Sequence, residues 1–106
     1  MTLHNRMKGY CVGAVAAVAL LAAAPAQADI KIGVIFDYTG PFAAGGSQAA
    51  AIGTKSAIDI INERGGVEGH KIVATYADAQ SKAEVAINEM TRLLEQEKVD
   101  LIMGVF

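Results

Sequence analysis

The chain of 106 residues has no tryptophan, two prolines, two histidines and one cysteine. The cysteine, Cys11, lies in the N-terminal apolar stretch, and nothing after residue 28 carries a thiol. That excludes disulfides, thiolate metal sites and cysteine nucleophiles from the rest of the chain. One histidine, His70, falls in that remainder, at the start of a predicted strand just after a turn. It reads as a surface residue, with no second histidine to complete a metal site. No catalytic group, cofactor or metal is expected. Charge of one sign is also missing, with nine basic against eleven acidic residues. Without a basic excess, nucleic acid and anionic membrane surfaces are poor partners.

The first 28 residues have the three parts of an export signal. His4, Arg6 and Lys8 make a basic start, and Gly9–Ala24 is uncharged and alanine-rich. Ala26-Gln27-Ala28 is a small-x-small cleavage site. The apolar run falls short of the roughly 20 residues that span a bilayer. Cleavage after Ala28 is expected, with no membrane insertion afterwards. Arg6 and Lys8 leave with the leader, so residues 29–106 carry seven basic and eleven acidic side chains.

Within residues 29–106, strand-like runs alternate with helical patterns. Ile30–Phe36 is almost continuously apolar, as expected of a strand covered by helices on both faces. A glycine-rich loop, Asp37–Gly46, leads into a helix predicted over Ser47–Arg64. Ala50, Gly53, Ala57 and Ile61 mark its buried face, widened by Ile58 and Ile60. Gly65-Gly66 is the stop signal. His70–Ala77 alternates apolar and polar, which suits an edge strand. Ser81-Lys82-Ala83-Glu84 fits a capping box opening a second helix, with Ala83, Ala86, Ile87, Met90, Leu93 and Leu94 as its core stripe. That helix is predicted to end near Lys98, and Val99–Phe106 to form a third strand. The expected fold is α/β: a parallel β-α-β-α-β unit in spatial order 2-1-3, part of a doubly wound sheet.

Ligands of such sheets bind beyond the carboxyl ends of the strands, where helices present unpaired N–H groups. The loop after the first strand is therefore the candidate site. Gly40-Pro41 is a turn pair, and Gly45 and Gly46 allow close backbone approach. Ser47 is predicted to cap the first helix, beside N–H groups able to hold a carboxylate. No lysine or arginine lies between Lys31 and Lys55, so an anion here relies on N–H dipoles and hydroxyls. Phe36 is expected under the loop, while Tyr38 and Phe42 either line a pocket or fasten the loop. Asp37 and Asp78 fall at the ends of adjacent strands, where each also suits an ordinary turn.

Familiar chemistry fits poorly. There is no Gly-Lys-Ser/Thr for a phosphate loop, and the glycines at 40, 45 and 46 are too dispersed for a dinucleotide fingerprint. A phosphoacceptor module wants an aspartate ending the third strand, where the sequence reads Gly104-Val105-Phe106.

The combination Ile30–Val34, Thr39-Gly40-Pro41-Phe42-Ala43 and Asp59–Ile72 resembles the leucine/isoleucine/valine-binding protein family. Tyr76–Ser81 and Val99–Gly104 continue the resemblance in order. These are periplasmic solute-binding components of ABC importers. The resemblance implies a two-lobed fold that closes on a solute by hinge bending, with residues 29–106 forming the first half of lobe 1. It further implies a periplasmic location, a membrane permease as partner, and no catalysis. Ligand contacts in the family come from the loop after the first strand and from a serine-rich loop after the third. The candidates here are Tyr38, Thr39, Phe42, Gly45, Gly46, Ser47, Asp78 and Phe106, the last standing where the second loop begins. Amino-acid-binding members often carry an aromatic near the end of the first loop. Gly45-Gly46 occupies that place, so the expected solutes include branched-chain amino acids and bulkier organic or aromatic acids. A sensory ectodomain of the same fold, and a truncated fragment without function, are the alternative readings.

Overall fold

The computed structural model describes residues 27–104. The expected leader, apart from its last two residues, and the candidate Phe106 lie outside them. Three parallel strands stand in the order β2-β1-β3, as the alternation of runs implies. The elements are β1 (Ile30–Phe36), α1 (Gln48–Glu63), β2 (Ile72–Asp78), α2 (Ala83–Glu95) and β3 (Leu101–Gly104). In register, Ile30 faces Ile72 and Phe36 faces Asp78, while Ile32 faces Leu101 on the other side.

Central β1 is apolar because helices cover both its faces. Its alternate side chains Ile32, Val34 and Phe36 pack with Ala51, Ile58 and Ile72 beneath α1. Ile35 points the opposite way, into Ala77, Ala79, Ala86, Leu93 and Val99 beneath α2. Burying side chains of this size contributes about 1.5–3 kcal/mol each.

Polar pairs fasten the amino-terminal edge of the sheet. Asn62, near the end of α1, donates from Nδ2 to the Ile72 carbonyl at 2.7 Å. Its Oδ1 accepts from the Ile72 N–H at 2.8 Å. Asp100 accepts from the Lys31 N–H through Oδ2 at 2.8 Å and places β3 beside β1. The predicted stop at Gly65-Gly66 holds, with the Gly66 N–H bonding back to the Ile61 carbonyl at 2.9 Å.

Several expectations are corrected. The buried stripe of α1 is Ala51 and Ile58 with Ile61 partly buried, whereas Ala50, Gly53 and Ala57 are exposed. Ile60, expected to widen the stripe, is 47 % exposed, so position on the helix rather than side-chain size selects the residues that meet the sheet. On α2, Ala86 and Leu93 are buried and Met90 partly so, but Ile87 and Leu94 face outward. The capping box does not form: α2 starts at Ala83 after an extended Lys82, with no side-chain cap. Its end falls at Glu95 rather than near Lys98, which has a left-handed φ of 55°. The strand predicted from His70 begins at Ile72, while His70 pairs with Val67 in an isolated bridge. Val99 precedes β3 as a buried loop residue. Among the described residues no helix is long and apolar enough to cross a membrane.

Candidate functional site

At the carboxyl end of the sheet, the loop after β1 is tied to the loop between β2 and α2. Asp78 does most of the tying. Its Oδ1 accepts from the N–H groups of Tyr38 at 3.0 Å, Thr39 at 3.3 Å and Gln80 at 2.9 Å. Its Oδ2 accepts from the Thr39 hydroxyl at 2.7 Å. Desolvation, the largest single influence, pushes the Asp78 pKa up. The bonds from Thr39, Gln80 and Tyr38 together outweigh it and hold the carboxyl below its ordinary value.

Ser47 and Ser81, both predicted as helix caps, are used differently. The first helix is preceded by one wide turn, Ala43–Ser47, in which Gly46 has φ 134° and the Gln48 N–H reaches the Ala43 carbonyl. Ser47 already has helical dihedrals and makes no side-chain cap. Its fully buried hydroxyl accepts instead from the Asp37 N–H at 2.7 Å. The Ser81 Oγ accepts from the Phe42 N–H at 3.0 Å, and its own N–H donates to Asp37 Oδ1 at 3.0 Å. Gln80 and Ser81 both adopt a φ of 55°, a strained choice for residues with a Cβ. These tertiary bonds hold them there.

Backbone crowding falls at Gly40 rather than at Gly45. A Cβ on Gly40 would stand 2.6 Å from the Gln80 carbonyl oxygen and from Ser81 Oγ, and the φ there is 95°. A Cβ on Gly45 would meet nothing within 4 Å.

The turn at Gly40-Pro41 sends the two loop aromatics to different hollows. Tyr38, half-buried, lines one of about 390 Å³ with Gln48, Ala51, Ile52, Lys55 and Tyr76. Burial, then the nearby Tyr76 and Asp78, push its phenol pKa upward, so the hydroxyl stays a proton donor. Phe42, 56 % exposed, lines a second hollow of about 360 Å³ at the start of α2. Asp37, Ala79, Ser81, Lys82, Ala83 and Ala86 complete it.

The expected candidates therefore do not make one cluster. Thr39 and Asp78 are bonded to each other, Ser47 is sealed beneath the loop, and Gly45 and Gly46 lie on the wide turn. Asp37, whose place at a strand end also suits an ordinary turn, is only 3 % exposed. Its Oδ2 is buried with no hydrogen-bond partner among the described residues. The one signal for it in the sequence was an acid directly after a buried strand.

Comparison with known proteins now places the chain. The family described as periplasmic binding protein matches residues 29–106. The chain belongs to this family. Leu/Ile/Val-binding protein homolog 7 of Brucella suis biovar 1 (strain 1330) is 40% identical over 100 residues, covering 94% of this chain and 25% of that protein. This member of the periplasmic binding protein family thus spans about a quarter of the length of the curated relatives it matches. Among solved structures it is similar to the branched-chain amino acid transporter substrate binding protein LivJ from Streptococcus pneumoniae, in complex with isoleucine. The TM-score is 0.70 at 35% identity, over 73% of this chain and 22% of that one. The leucine binding protein LivK from Thermotoga maritima gives a TM-score of 0.60 at 30% identity, over 72% and 21% of the two chains.

Proposed function

We propose that the protein is the exported solute-binding component of an ABC importer, taking branched-chain amino acids or related small organic acids. Residues 1–28 are the signal peptide, cleaved after Ala28, and residues 29–106 are the opening part of the first lobe. The partners are the solute and a membrane permease, and no chemistry is performed on the solute.

The observation that carries this reading is the family match across residues 29–106, with relatives named for leucine, isoleucine and valine. The geometry agrees with it. Two loops at the carboxyl end of a parallel sheet are bonded into one rim, flanked by hollows of small-molecule size. Open space at Gly45 supports a second reading, in which the solute is bulkier than leucine, such as an aromatic acid.

Calorimetry on the full-length mature protein tests both. Binding of leucine, isoleucine or valine, with no heat from aromatic acids, supports the first reading. The reverse pattern supports the second. Absence of heat from every one of them defeats the proposal.

A further inference from the structure

Resting on the reading of residues 1–28 as a cleaved leader, we infer that the cut after Ala28 precedes folding. Once β1 has joined the sheet, the precursor is closed to signal peptidase. Hydrolysis here breaks the bond between the Ala28 carbonyl carbon and the Asp29 nitrogen. Water supplies a hydroxyl to the first and a proton to the second. During the attack, the Ala28 carbonyl oxygen has to pass into the peptidase's own hydrogen-bond donors. In the folded protein that oxygen is already engaged, accepting from His70 Nδ1 at 2.6 Å. With a carbonyl as partner, Nδ1 is the ring nitrogen that carries the proton.

A protease needs the backbone on both sides of the bond free to enter its cleft. Beyond the bond, Asp29 is followed at once by β1, the central strand. The Ile30 N–H donates to the Lys71 carbonyl at 2.7 Å. Lys31 is held from the other side: its N–H donates to Asp100 Oδ2 and its carbonyl accepts from the Asp100 N–H, both at 2.8 Å. On the leader side, the Gln27 side chain lies over Gly69, where a Cβ would stand 2.8 Å from Gln27 Oε1. Gly69 and His70 belong to a tight hairpin in which Val67 and His70 exchange both backbone bonds, at 2.8 and 2.9 Å. Residues 27–29 are exposed, so pairing rather than burial closes the bond. Freeing Ile30 and Lys31 means withdrawing a strand paired on both edges, and such strands open only with the whole domain.

The test is a timed digestion of the full-length precursor by purified bacterial signal peptidase in detergent. The precursor is offered folded, and again diluted from urea at the moment of mixing. The product is identified by its mass, with Asp29 as the first residue. The folded precursor should be cut at least about tenfold more slowly, since cleavage follows the population of the opened chain. A second precursor carries Ser-Gly-Ser-Gly between Asp29 and Ile30, a flexible spacer that keeps the cleavage site and detaches it from the sheet. Folded, this variant should be cut within about threefold of the rate of its unfolded form.

Equal cutting of the folded and unfolded native precursor overturns the inference and leaves the leader reading intact. So does a folded spacer variant as resistant as the native precursor, because the protection then comes from somewhere other than the pairing of β1. Cleavage of neither form after Ala28 overturns the leader reading and this inference together.

Discussion

The hydroxyl of Thr39 donates to Asp78 Oδ2 at 2.7 Å, bridging two loops that are 39 residues apart in the chain. Together with the three N–H groups on Asp78 Oδ1, it makes this carboxylate the fastening of the rim. Asp78→Ala should lower the unfolding free energy of the mature protein by about 1–3 kcal/mol, measured by urea denaturation. A change within about 0.5 kcal/mol would show that the rim holds without it.

The same residue sets an acid response. Its pKa in the folded protein lies below the ordinary carboxylate value, so the ionised form favours folding. That contribution is complete above the ordinary value and disappears as pH falls through the lowered one. Stability of the native protein should therefore fall more steeply on acidification below the ordinary carboxylate range than that of Asp78→Asn. Parallel curves in pH-dependent denaturation would refute this.

Ser47 separates a cap from an internal tether. An aspartate is as good a helix cap as a serine, so a capping role predicts that Ser47→Asp is tolerated. The position is fully buried beside Asp37, where a second carboxylate has neither water nor a cation. Ser47→Ala should cost about 1–3 kcal/mol by stranding the Asp37 N–H, and Ser47→Asp should cost more. The opposite ranking in denaturant titrations would restore the cap.

Gly40 and Gly45 should respond oppositely to alanine. Gly40→Ala forces a Cβ into the Gln80 carbonyl at a φ of 95° and should cost at least about 1 kcal/mol. Gly45→Ala meets open space and should stay within about 0.5 kcal/mol of the native protein. Equal thermal shifts for the two variants would contradict this geometry.

On α2, Leu93 is fully buried and Ile87 is 62 % exposed. Leu93→Ala should cost about 2–5 kcal/mol, and Ile87→Ala well under half of that. Comparable losses would mean that another part of the full-length chain covers Ile87.

The strand order and the end of α1 were legible in the sequence because each depends on local, repeated signals. Continuous Ile and Val at 30–36 mark a strand buried on both faces, and paired glycines end a helix wherever they follow one. The loops were legible only as loops. Ser47 and Ser81 have the spacing of caps, but a hydroxyl chooses among all donors within reach, and those donors came from distant residues. On α1 the sequence places Ile58 and Ile61 on the inner side, but Ala50, Gly53, Ala57 and Ile60 face outward and Ala51 meets the sheet, since a run of alanines and isoleucines fits two adjacent stripes. Asp37 is legible as an acid at a strand end but its burial is not, because a buried acid after a strand reads the same as a turn acid until its surroundings are known.

The Phe42 amide on Ser81 and the Thr39 hydroxyl on Asp78 join two crossovers into one stiff plate. Most of the freedom that a docking molecule would otherwise have to quench here is surrendered during folding. A visitor to this plate should find its surface already set, with adjustment left to side chains such as Phe42 and Lys82.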